Sequence, residues 1–181
     1  MFLRHLLSAT ILTATVAAMS ATVAAEDLHG GFFILNEDWY GHQNSTINYL
    51  RPDDPDGVYW DYRVFQSRNP GKELGCTAQH GIAWGRRLYL ISKQEKDPGA
   101  SVIGARITVC DAKTMECLAQ LTEIDPSGNR CDGRGVCGVS LDKVYISSSN
   151  GIWIFDTRSL SVTGQIPGTE NPNGIDGATT N

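Results

Sequence analysis

From residue 31 to residue 166 the chain alternates apolar and polar residues in short runs, each closed by Gly, Asn, Asp or Pro. Period-2 alternation of this length is the mark of a half-buried β-strand, and the breakers between runs supply tight turns. Asn150-Gly151 between two apolar runs is a strong two-residue hairpin signal. Helical periodicity is almost absent, so the pattern predicts an antiparallel all-β protein.

The runs repeat. Arg87–Ser92 (RLYLIS) resembles Lys143–Ser148 (KVYISS); their tyrosines, Tyr89 and Tyr145, lie 56 residues apart, and Phe33 lies another 56 upstream. Thr108–Leu121 aligns with Trp153–Ile166 without a gap at an offset of 45. The 11-residue difference falls in one loop, Lys93–Ala105, where insertions are tolerated if strands are fixed and loops vary. Each unit reads as four strands. The first are His80–Trp84 and Cys137–Leu141, the second Leu88–Ser92 and Val144–Ser148. The third are Arg106–Cys110 and Ile152–Phe155, and the fourth Cys117–Leu121 and Val162–Ile166. Four-stranded units at this period predict β-propeller blades.

The register of the units also matters. The chain after residue 30 opens on a second strand, Gly31–Asn36, and Pro172–Asp176 matches the start of another unit. That makes about three blades, whereas propellers typically close with roughly 4–8. The expectation is a partial β-propeller, residues 26–181 being the N-terminal part of a longer protein. The alternative is a small stack of sheets that assembles with other copies.

The first residues read as an address. Arg4 and His5 precede a short apolar stretch, and Val23-Ala24-Ala25 ends in small residues before Glu26-Asp27. This predicts a signal peptide over 1–25 and a mature protein that is secreted, periplasmic or at the cell surface. No later segment reaches membrane-spanning length. With 41% apolar and 19% charged residues and a formal net charge of −5, the chain as a whole has a soluble globular composition. Its 15 Lys and Arg are scattered rather than gathered in a stripe, which argues against nucleic-acid binding.

All five cysteines follow the leader, and export favours disulfides over reduced thiols. Their spacing lacks the Cys-x2-Cys pairs of zinc ribbons. If Asp111 and Glu116 close a hairpin loop, Cys110 and Cys117 face each other across neighbouring strands, which predicts a Cys110–Cys117 disulfide. Cys131–Cys137 would be a loop staple, leaving Cys76 unpaired.

In a propeller, the second-to-third connection and the connection to the next blade open on one face. Here those connections are the long ones. They gather Glu37, Trp39, Tyr40, His42, Gln79, His80, Lys93, Gln94, Asp132 and Arg134, the candidate ligand-binding residues. Trp39-Tyr40, set among Gly and polar residues, suits a stacking platform for a flat ligand. Asp132-Gly-Arg134 reads equally as a salt-bridged turn. His42 and His80 have no ligand partner at metal-site spacing. Asn44-Ser-Thr46 matches the glycosylation acceptor pattern. No nucleophile elbow, phosphate loop or dinucleotide fingerprint is present, so no catalytic residue is assigned.

Phe33–His42, Leu74–Gln79, Leu90–Gln94, Asp132–Arg134 and Ser149–Ile152, in that order, resemble the exported YncE-type propeller proteins of Bacteroidetes, the group containing the DUF5074 domain. The resemblance implies a seven-bladed ring, of which this chain would supply somewhat under half. It also implies a distant likeness to the surface-exposed B12-binding propeller BtuG, which works beside an outer-membrane transporter. On that likeness the expected ligand is a bulky cofactor such as a corrinoid, and the expected partner an outer-membrane transporter. Three functions compete: an exported non-catalytic binding protein, a protein-interaction scaffold, and a metal-dependent propeller enzyme of the quinoprotein or lactonase kind.

Overall fold

The computed structural model of the protein describes residues 27–171; the leader expected at 1–25 and the unit start expected at Pro172–Asp176 lie outside the described residues. The described chain is all-β and forms three antiparallel sheets. Sheet one holds β1 (Phe32–Asn36), β2 (Thr46–Arg51) and β3 (Tyr59–Asp61). Sheet two holds β4 (Cys76–Trp84), β5 (Arg87–Gln94), β6 (Ile107–Asp111) and β7 (Cys117–Leu121). Sheet three holds β8 (Gly133–Ser140), β9 (Lys143–Ser148), β10 (Gly151–Asp156) and β11 (Ser161–Gln165). Each is a simple meander in chain order, as expected of successive propeller blades.

Two cores join the three sheets, and strand alternation assigns their residues. Phe33, Leu35, Ile47, Tyr49 and Tyr59 from sheet one meet Leu88, Leu90, Cys110 and Cys117 from sheet two. The opposite face of sheet two, with Tyr89, Ile91, Ile107 and Val109, meets Val144, Ile146, Trp153 and Phe155 of sheet three. Tyr89 packs edge-on to Phe155, ring centroids 6.0 Å apart. At about 1.5–3 kcal/mol per fully buried large apolar side chain, these contacts dominate the attraction between sheets.

Neighbouring sheets are also tied at positions one period apart. Trp84 Nε1–H donates to the carbonyl of Ser140 at 2.8 Å, 56 residues on, and the N–H of Val136 donates to His80 Nδ1 at 3.1 Å, again across 56 residues. Gly138 makes the first of these possible. A Cβ there would lie 2.2 Å from the Trp84 ring, well inside van der Waals contact.

Second, third and fourth strands fall within two residues of the sequence reading, but two features differ from it. The first strands begin four residues earlier, at Cys76 and Gly133, because bulges at Ala78/His80 and Gly133/Gly135 interrupt the alternation that would have marked them. A five-residue helix, α1 (Val64–Arg68), fills the connection between sheets one and two and buries Val64 and Phe65.

The expected Cys110–Cys117 disulfide is not supported: all five cysteines are free thiols. Cys110 and Cys117 do face each other in the β6–β7 ladder, but the register shifts between Val109 and Cys110. The Cys117 thiol turns to the carbonyl of Ala119 on its own strand, at 3.9 Å. Burial pushes both thiols above the ordinary cysteine range, which disfavours the thiolate needed for exchange. A Cys131–Cys137 staple is excluded by position, since Cys131 is in the core between sheets two and three while Cys137 is exposed.

Candidate functional site

The long connections converge on one face, as the unit pattern requires. Its organising residue, Asp97, comes from the β5–β6 loop and is completely buried. Asp97 Oδ2 accepts the N–H of Gly41 at 2.6 Å and the Cys76 thiol at 3.4 Å; Oδ1 accepts the N–H of Gly99 at 2.7 Å. The Asp97 N–H donates to Asn44 Oδ1 at 2.6 Å, and Asn44 Nδ2 donates to the carbonyl of Val102 at 3.0 Å. One carboxylate and one amide thus lock the β1–β2 loop of sheet one to the β5–β6 loop of sheet two. Burial opposes the Asp97 charge, yet the amide donors of Gly99 and Gly41, the Cys76 thiol and the nearby His42 hold its pKa below the usual carboxylate value. Cys76, desolvated and facing that carboxylate, is pushed up to about 11. Asn44 is therefore a structural residue: it is 4% exposed with both side-chain amide atoms engaged, so the acceptor pattern at 44–46 is closed to modification in the folded protein.

The latch holds the aromatic pair outward. Trp39 is 70% and Tyr40 57% exposed, and the His42 ring lies against Trp39 with centroids 3.7 Å apart. Tyr40 and Gln94 line one cleft of about 160 Å³ together with Glu95, Lys96, Pro98 and Arg130. His42 lines a second, of about 220 Å³, with Arg63 and Glu73 among its walls. A third, of about 380 Å³, lies between Asp125, Arg130, Asn150 and Glu170.

Beneath this face sits a charge cluster that the sequence does not announce. Arg106, at the start of the third strand of sheet two, is fully buried. Its guanidinium donates to the carbonyls of Lys93 and Cys131 and to Glu95 Oε2 at 2.8 Å. It also faces Glu123 at 3.6 Å and Asp132 at 3.9 Å. One cation among three carboxylates ties the β5–β6 loop to the connection into sheet three. Asp132 also pairs with Arg134 at 3.5 Å, so the salt-bridged turn is present and is part of a larger network. Gln94 Oε1 and Arg134 Nε are buried without a hydrogen-bond partner among the described residues.

The candidates from the sequence therefore separate into groups. Trp39 with His42, Tyr40 with Gln94, Gln79 with Glu37 (Nε2 to Oε1, 3.5 Å), and Asp132 with Arg134 are brought together. Lys93 contributes its carbonyl to Arg106. His80 stands apart: its ring accepts the Val136 amide and lines a separate groove with Tyr145 and Cys137. Among the described residues, no three His, Cys, Asp or Glu side chains converge to hold a metal ion, and no helix is long and apolar enough to cross a membrane.

Stacked three- and four-stranded meanders, long loops gathered on one face and aromatic side chains held out from it define the class: a repeat protein built as part of a β-propeller. The match is specific. Residues 30–181 fit the family described as "Domain of unknown function (DUF5074)", and the chain belongs to that family. No curated protein matches it.

Proposed function

We propose that this chain is an exported, non-catalytic binding protein whose long-loop face takes a bulky ligand, with a corrinoid as the specific candidate. The observation that carries the reading is the outward-held Trp39–Tyr40 pair on a loop fixed at its base by Asp97 and Asn44. Exposing two large aromatic side chains forgoes burial, and fixing them in advance reduces the ordering cost of binding. Trp39 and Tyr40 stack on the ligand; Glu37, Gln79, Lys93, Gln94, Asp132 and Arg134 supply polar contacts. The His42 ring backs Trp39 and one His80 nitrogen is engaged by a backbone amide, so His42 braces the stacking platform.

The corrinoid and a partnership with an outer-membrane transporter rest on the resemblance to exported B12-binding propellers, and export itself rests on the basic and apolar leader over 1–25. The test is calorimetric titration with cyanocobalamin, backed by thermal denaturation. At a hundredfold excess over Kd, linkage raises stability by about 2.7 kcal/mol. Trp39→Ala should abolish most of that gain and leave the ligand-free melting temperature nearly unchanged. A melting temperature untouched by corrinoids rules out that ligand; stabilisation that survives Trp39→Ala moves the site elsewhere.

A further inference from the structure

The cleft beside Tyr40 draws on the connections of all three sheets. Tyr40 comes from the β1–β2 loop, Gln94 and Lys96 from the end of β5 and the loop after it, and Arg130 from the connection into sheet three. Lys96 and Arg130 set two cations on one cleft of about 160 Å³. Neither has an ion pair or a side-chain hydrogen bond among the described residues.

That is not for want of acids, because the chain carries a net charge of −5. The carboxylates nearest to each cation along the chain are all engaged elsewhere. Glu95 accepts from Arg106 at 2.8 Å, and Asp97 accepts the amides of Gly41 and Gly99 and the Cys76 thiol. Asp125 accepts the N–H of Ser127 at 2.8 Å and Asn129 Nδ2 at 3.0 Å, and Asp132 faces Arg106 and Arg134.

The backbone beneath both cations is fixed as well. Lys96 lies between Glu95, tied to Arg106, and Asp97, whose N–H donates to Asn44 Oδ1. Arg130 precedes Cys131, whose carbonyl accepts from the same Arg106 guanidinium at 2.7 Å. The N–H of Asp132, next along, donates to Ser149 Oγ at 2.9 Å. One buried arginine thus sets the spacing of the two loops that carry the unpaired cations. Like charges held over one cleft repel, and a bound anion relieves that repulsion.

We propose that this cleft is an oxyanion subsite in which Lys96 and Arg130 together hold a phosphate or carboxylate, while Tyr40 packs on an aromatic ring that carries it. Arginine supplies a planar fork of donors and lysine a compact charge, a pair suited to a group with several acceptor oxygens. The inference rests on the reading of the long-loop face as a ligand face and adds the charge that its ligand bears. It does not require a corrinoid.

The test is titration of the isotope-labelled chain at low ionic strength, followed by amide chemical shifts, with phenyl phosphate, benzoate and phenol as probes. The three share a ring and differ in charge, and the tighter of the two anions identifies the oxyanion. That anion should shift the amides around Lys96 and Arg130 and bind at least about tenfold more tightly than phenol, since it gains charge-assisted hydrogen bonds. Lys96→Gln combined with Arg130→Gln should bring both anions to the level of phenol. Lys113→Gln combined with Arg158→Gln removes the same two charges from hairpin turns at the other end of the sheets, and should change neither anion's affinity. Tyr40→Ala should bring phenyl phosphate down to the affinity of inorganic phosphate. Thermal melts check that each variant stays folded. The proposal is overturned if both anions bind no better than phenol, or keep their advantage without Lys96 and Arg130. It is overturned equally if the Lys113 and Arg158 variant loses that advantage, or if Tyr40→Ala binds phenyl phosphate as the native chain does. A failed cyanocobalamin titration beside the expected oxyanion results removes the corrinoid and keeps the subsite. Cobalamin bound through Trp39 with no oxyanion preference does the reverse.

Discussion

Arg106 shows how much one side chain can decide. Its guanidinium pairs with Glu95, Glu123 and Asp132, sharing the last with Arg134, and it also serves two carbonyls. Replacing it with Met keeps the volume but leaves Glu95 and Glu123 facing an apolar group, with Asp132 held by Arg134 alone. Breaking a buried pair by removing one partner costs about 3–5 kcal/mol. Glu95 and Glu123 are partly solvated here, so Arg106→Met should fall near the lower end, about 3 kcal/mol, in urea denaturation. Arg106→Lys keeps the charge but loses the fork that reaches several acceptors at once, and should cost less. Gly138 presents the opposite case, a residue defined by what it lacks. Gly138→Ala forces a methyl against the Trp84 ring and should cost about 1–3 kcal/mol by overpacking. The same change in a Trp84→Ala background should cost much less, and the double-mutant cycle reads the difference directly.

At the scale of the element, two hairpin loops are built from one device. Asp111 Oδ1 accepts the N–H groups of Lys113 and Thr114 at 2.8 and 3.0 Å, and Asp156 Oδ1 accepts those of Arg158 and Ser159 at 2.9 and 2.7 Å. Met115 and Leu160, at matching places, both take positive φ, 61° and 53°. Asp111→Ala strips two backbone donors of their acceptor and should cost about 1–2 kcal/mol in the same urea assay. Asp111→Asn should recover part of it. The device also explains what was legible. Asp-x-Lys-Thr and Asp-x-Arg-Ser recur in phase with the strands, so the outer three strands of each unit could be placed from the sequence. The first strands as read from the sequence start four residues late, because their bulges break the two-residue period at Ala78/His80 and Gly133/Gly135. Likewise α1 is too short to show a helical period. The loop face was visible as long, polar, aromatic-bearing connections. Its two organising residues were not, because burial of Asp97 and Arg106 is a property of loops meeting in space, and each looks like an ordinary loop or strand-edge charge in one dimension.

Across the whole molecule, sheets one and two meet at an apolar core below and at the Asp97 latch above. The two respond differently to pH: the core holds few titrating groups, whereas the latch depends on a carboxylate. In the folded protein Asp97 has a pKa below its ordinary value, despite burial, because amide and thiol donors hold the charged form. A group depressed in this way adds stability above its unfolded pKa, about 3.9, and loses that contribution as pH falls through its folded value. The melting temperature should therefore drop on acidification below about pH 4. Other carboxylates shifted in the same direction, Asp54, Asp111, Asp142 and Asp156, add to that drop, so the native curve alone does not isolate the latch. Comparison with Asp97→Asn does. The variant removes the titration while leaving an oxygen acceptor in place, so it should be less stable than the native chain at pH 7. The gap should narrow as pH falls below about 4, where the native carboxylate gains its proton. Two melting curves that run parallel from pH 7 to pH 2 would show that the loops are held together by packing, with the charge of Asp97 incidental. Converging curves would place the carboxylate at the base of the Trp39–Tyr40 loop. Acidification should then release that loop from sheet two before the cores between the sheets give way.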